Sequence, residues 1–211
     1  DSWGQYDKAI EYYQQALTIN RKLGNVDAIT IILNNIGLVY KSWGKYNKAI
    51  EYYQQALEIN RKLGIEDGIA RNLNNIGLVY YFQEQYVPAI KHFVESINLK
   101  EKIRKTATGD DRLDYLASQI GTYRALISAY LLNLEPSKAF EAMEQSRSKL
   151  LAERLGGDGS EVNVVSVKSV QDEMGDASAI LSYANSNWSK ISLVVVARSS
   201  IHGQQIPAEE A

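Results

Sequence analysis

Residues 3–24 read WGQYDKAIEYYQQALTINRKLG and residues 43–64 read WGKYNKAIEYYQQALEINRKLG, a recurrence at an offset of 40 with three changes, Gln5/Lys45, Asp7/Asn47 and Thr18/Glu58. The stretch between them, IILNNIGLVY at 31–40, returns at the same offset as RNLNNIGLVY at 71–80. Self-similarity at such a period marks a repeat architecture, in which one unit cannot bury its apolar face alone and stacks on its neighbour. Function in such arrays lies on an extended surface made by stacking rather than in a single pocket.

Within a unit the apolar residues follow the helical period. Ile29, Ile32, Leu33, Ile36, Val39 and Tyr40 fall three and four apart, as do Tyr46, Ala49, Ile50, Tyr53, Ala56, Leu57 and Leu63, with Glu51, Glu58, Arg61 and Lys62 mostly on the other side. Each unit is thus a helix A and a helix B. Gly44 suits the tight A–B turn, and Gly24 and Gly64 suit the C-terminal caps of helix B. The pattern predicts seven helices, over residues 6–23, 26–42, 46–63, 66–83, 86–105, 111–133 and 136–155, making three and a half units without a strand. The last unit is longer, because Ala89 aligns with Ala139 at an offset of 50. Pro136 and Pro88 both fit the first turn of a helix.

At 211 residues, 45% hydrophobic and 23% charged, the chain can bury a full core. No apolar run reaches bilayer length and no basic-then-apolar leader is present, so the expected location is cytoplasmic, with no membrane partner. With no cysteine, disulfides, thiolate zinc sites and a cysteine nucleophile are excluded within these residues, and His92 and His202 are the only imidazoles. A net charge of −2 argues against a general nucleic-acid binder. The charge is uneven: residues 1–155 hold 20 basic against 18 acidic side chains, and residues 156–211 hold 3 against 7.

After residue 155 the character changes. Gly156, Gly157 and Gly159 mark a linker over 156–165, 169–174 reads as a short helix, and 179–183 and 191–197 read as strands joined by an Asn185-Ser186-Asn187 turn. Val194-Val195-Val196 suits a strand buried on both faces, so residues 166–211 read as the start of a larger α/β domain, truncated here.

Leu33-x-x-Ile36-Gly37-x-x-Tyr40, followed by Gly44, Tyr46, Ala49, Tyr53 and Ala56, resembles the tetratricopeptide repeat signature. The resemblance implies an all-α, right-handed solenoid of helix-turn-helix units over residues 1–155. The family usually spans 34 residues and closes helix B with a proline; here Arg61 holds that place and the helix runs on to Gly64, as in the longer-helix subclass of LGN-like and kinesin-light-chain-like proteins. A second resemblance covers SKAFEAMEQSRSKLLAERL (137–155) and AILSYANSNWSKISLVVVA (179–197), which look like the junction between tetratricopeptide repeats and a CHAT domain, a caspase-like module common in bacteria. That family's catalytic histidine and cysteine lie well downstream of the junction. Nothing here matches them, so no enzyme activity is expected of these residues.

In family terms helix A lines the concave wall. The residues expected to face the groove are Ile31, Asn34, Asn35, Leu38 and Lys41, then Arg71, Asn74, Asn75, Leu78 and Tyr81, then Arg124, Ser128 and Leu131, with no acid among them. A row of side-chain amides, each both donor and acceptor, can hold an extended peptide backbone whatever its side chains. Lys41, Arg71 and Arg124 would then favour an acidic segment or a terminal carboxylate. The alternative is that the asparagines bridge neighbouring helices and the bases solvate the surface.

Other groupings read more plainly. The tyrosines at fixed repeat positions fill the core rather than stack on nucleic acid, Trp3 and Trp43 pack at the unit edge, and His92 is structural. Asp110, Asp111 and Asp114 lack the calcium-loop spacing and suit a helix N-terminus, so no metal and no cofactor is expected. The expected function is a peptide- or protein-binding scaffold coupled to a C-terminal effector in a longer parent, the alternatives being the N-terminal part of a CHAT protease or a purely structural, oligomerising spacer. The first helix, without a preceding helix A, is expected to leave Tyr6, Ile10, Tyr13 and Leu17 facing solvent. Self-association through the chain ends would follow.

Overall fold

A computed structural model describes residues 2–107, 110–154, 179–183, 190–197 and 200–207. Among them are seven helices, α1 (Ser2–Leu23), α2 (Val26–Ser42), α3 (Tyr46–Leu63), α4 (Glu66–Phe82), α5 (Tyr86–Thr106), α6 (Asp110–Leu132) and α7 (Pro136–Arg154), then three strands, β1 (Ala179–Tyr183), β2 (Lys190–Ala197) and β3 (Ser200–Pro207). The helix limits fall within one residue of the periodic expectation except at α1, which starts at Ser2 instead of Tyr6. The chain divides into two compact units, Asp1–Thr122 and Tyr123–Ala211.

In the first unit α1 packs on α2, α2 on α3, α3 on α4 and α4 on α5. The turns between them follow from backbone chemistry. Gly44 adopts φ +74° after α2, and the Lys45 N–H closes back on the Tyr40 carbonyl at 2.9 Å, which satisfies a carbonyl the helix end would otherwise orphan. Gly24 and Gly64 do the same after α1 and α3, at φ +67° and +69°. At the later counterparts of Gly44 the sequence has Glu84 and Leu134, held at φ 60° and 59°.

The A–B contact explains the small-plus-aromatic spacing. A Cβ on Gly37 would stand 2.6 Å from the Tyr53 ring, and one on Gly77 would stand 2.8 Å from the Phe93 ring. The missing side chain on helix A is therefore the socket for the aromatic on helix B. Leu33, Ile36, Tyr53, Ile76, Val79 and Phe93 are buried around these sockets, each such side chain contributing roughly 1.5–3 kcal/mol. Further along, buried Ile127 and Met143 stand at the glycine and aromatic positions, a larger residue on A with a slimmer one on B.

The expectation for α1 requires correction. Ile10 and Leu17 are buried and belong to the core cluster around α2, Tyr6 stacks on Trp43 at 5.8 Å, and Tyr13 is half-buried. The reason is that α1 keeps, against α2, the packing that its near-copy α3 makes against α4. Its exposed apolar side chains are instead Tyr12, Ile19 and Leu23.

In the second unit β1, β2 and β3 form one antiparallel sheet in that order, with Leu181 opposite Val194 and Val194 opposite Gly203. β2, which covers the strand expected at 191–197, is thus the central strand. β3 was not anticipated, because Gly203, Gln204 and Gln205 interrupt any alternation of apolar residues. The expected linker at 156–165, the helix at 169–174 and the turn at Asn185-Ser186-Asn187 lie outside the described residues.

Candidate functional site: a groove between α2 and α4

A groove of about 460 Å³ runs between α2 and α4. The α2 wall is one helical stripe, Asp27, Thr30, Ile31, Asn34, Asn35 and Leu38, and the α4 side contributes Ile65, Gly68, Arg71 and Asn75. Asn60 and Tyr53 of α3 complete the lining. Burial pushes the Tyr53 phenol pKa up, so it stays protonated and a hydrogen-bond donor throughout the physiological range.

Six of the residues expected from the sequence, Ile31, Asn34, Asn35, Leu38, Arg71 and Asn75, line this groove. Ile31 and Leu38 are exposed at 58% and 48% along this wall. The remaining expected residues are placed otherwise. Lys41 lies 5.9 Å over the Phe82 ring, with its pKa lowered by burial. Tyr81 packs edge-on against Phe82 and Tyr86, and Leu78 is half-buried. Arg124 and Ser128, like Leu131, belong to the second compact unit and are half-buried there.

The four asparagines divide into two kinds. Asn34 Nδ2 donates to the Thr30 carbonyl at 2.8 Å, and its Oδ1 accepts from Asn72 Nδ2 at 2.7 Å. Asn74 Oδ1 accepts from the Thr122 hydroxyl at 2.9 Å. Both therefore bridge successive units. Asn35 and Asn75, one residue on, are half-buried and form no side-chain hydrogen bond among the described residues. Their amides face the groove with donor and acceptor unspent.

Two features were not legible in the sequence. Asn72 is fully buried, accepts from Asn60 Nδ2 at 2.7 Å and passes the chain on to Asn34. The other is the charge of the groove. Arg71 is tied to Asp67 at 2.5 Å, one turn back on the same helix, and Asp27 joins the lining. The basic character expected of this wall is thereby largely cancelled.

The other sequence groupings sort as packing. His92 Nδ1 donates to the Pro88 carbonyl at 2.8 Å, with its ring 5.4 Å from Tyr80. Tyr6, Trp43, Tyr40 and Tyr52 form a stacked column along the unit edge. The side chains of Trp3, Asp110, Asp111 and Asp114 lie outside the described residues. Among the described residues no helix is long and apolar enough to cross a membrane.

The sequence matches the tetratricopeptide repeat family over residues 4–62 and 31–102. No curated protein matches the chain. Among solved structures it is similar to BtubC (BKLC) from P. vanneervenii, at 26% identity and a TM-score of 0.61, over 72% of this chain and 59% of that one. It also resembles a Podosopora anserina protein described as a kinesin light chain with nearly identical TPR-like repeats, at 18% identity and a TM-score of 0.56, over 72% of this chain and 70% of that one. The chain thus spans 59% of the BtubC structure. Residues 4–102 thus match the tetratricopeptide repeat model, and the helical array shares its fold with these solved structures.

Proposed function

We propose that the repeats are a peptide-binding scaffold that holds an extended peptide or protein segment in the groove between α2 and α4. The observation that supports it is the division among the asparagines: Asn34 and Asn74 are consumed in bridging units, while Asn35 and Asn75 are left with unspent amides beside exposed Ile31 and Leu38. An amide pair of this kind grips a peptide backbone through its N–H and C=O groups, and the aliphatic side chains cover apolar residues of the ligand. Lys41, Leu78, Tyr81, Arg124 and Ser128 are proposed to extend the surface. In a cytoplasmic parent protein, residues 1–155 would sense a partner and pass the event across the 156–165 linker to a CHAT-like effector beginning at 166–211.

The test is selection of extended peptides from a randomised display library by the full chain. Asn75→Ala and Asn35→Ala should each weaken a selected peptide by about 0.5–1.5 kcal/mol per lost hydrogen bond while leaving the melting temperature in place. Loss of stability with unchanged affinity would make both asparagines structural and end the reading.

A further inference from the structure

The charged groups of the groove differ between its two walls, although the walls are copies. α4 carries Asp67 one turn before Arg71, and the two close an ion pair at 2.5 Å. α2 carries Asp27 at the equivalent place, but Ile31 stands where Arg71 would, so the Asp27 carboxylate has no ion pair or side-chain hydrogen bond among the described residues. Nor does it cap the helix end. Asn25 Oδ1 already accepts from the Ala28 N–H at 3.2 Å, whereas α4 has no side-chain cap and begins with Glu66 and Asp67 in its first turn. One anion, in the first turn of α2, therefore stands exposed in the groove without an ion pair among the described residues.

We infer that Asp27 selects a basic side chain on the bound segment. The inference rests on the groove being a peptide site and names the chemistry of its ligand. Asp27 and Asn35 are eight residues apart on one helix, about 12 Å along its axis. An extended peptide covers that distance in about four residues. The ligand is thus a segment whose backbone pairs with Asn35 and Asn75 and which carries Lys or Arg about four residues from that point, with apolar residues between them against Ile31. Arg71 is already paired with Asp67, which weakens its pull on a ligand acid.

The same display library, probed with the full chain and with Asp27→Asn, Asp27→Lys and the double variant Asn35→Ala/Asn75→Ala, separates the possibilities. Peptides selected by the unmodified protein should be enriched in Lys or Arg at that spacing. Asp27→Asn should lose the enrichment and weaken individual peptides about threefold, and added salt should shrink that difference. Asp27→Lys should shift selection toward Asp or Glu. Peptides that depend on Asn35 and Asn75 but show no basic preference, or keep it in Asp27→Asn, would overturn this inference while sparing the groove. If no peptide is selected at all, the groove reading falls and this inference with it.

Discussion

The junctions between successive repeats carry different chemistry at one shared place. At α1/α2 the repeat puts Asn20 and Ile32 there; Asn20 donates to its own helix at the Ala16 carbonyl, 2.9 Å away, and Ile32 joins the apolar core. At α3/α4 the equivalents are Asn60 and Asn72, which join Asn34 in a buried chain with 2.7 Å links. At α5/α6 they are Lys100 and Thr122: the lysine donates to the Ser118 carbonyl at 3.0 Å, with burial lowering its pKa, and the threonine donates to Asn74. An apolar junction tolerates any partner of similar shape, whereas a buried hydrogen-bonded chain is satisfied by one partner only. Nearly identical repeats are prone to pair out of register, so Asn72 distinguishes the second junction from the first.

Breaking that distinction should have the largest effect. Asn72→Ala removes the middle of the chain and leaves the Asn60 and Asn34 amides facing a cavity, for a loss of about 2–4 kcal/mol. Asn72→Ile, which copies the α1/α2 junction, should lose less. Denaturant midpoints of the two variants give the comparison directly; equal and negligible losses would show that the polar chain does not hold the junction.

Next in size is the A–B socket. Gly37→Ala places its methyl against the Tyr53 ring and should cost about 1–3 kcal/mol. Gly121→Ala, whose Cβ would meet nothing within 4 Å, should instead gain about 0.5–1 kcal/mol from helix propensity alone. Calorimetry that moved both variants in the same direction would contradict the socket.

The smallest effect contrasts the turns. Glu84 adopts the left-handed backbone that Gly44 adopts without strain, so Glu84→Gly should stabilise by up to about 1 kcal/mol. Gly44→Ala should destabilise to a similar extent. A drop in melting temperature for Glu84→Gly would mean that the glutamate side chain contributes more than its backbone costs.

Much of the helical part was legible because its signals are local. Apolar residues three and four apart, a glycine at each early turn and the offset of 40 define helices, turns and stacking order without any long-range information. The candidate groove was legible only in part. Helical phase puts Asn34 and Asn35 on adjacent faces and says nothing of which meets a residue 38 positions away; the structure joins Asn34 to Asn72. Nor could it show Asp27 joining the groove while Asp67 is occupied with Arg71. β3 escaped detection because pairing with β2, rather than its own composition, makes it a strand.

Sequence alone thus determined the repeat, its seven helices and the stripe from which a groove wall could be drawn, since each depends on backbone geometry within a few turns. Which amides remain free, which charge is cancelled and which polar residue is buried were decided by contacts between units, because a hydrogen bond or ion pair exists only once stacking brings its two ends within about 3 Å.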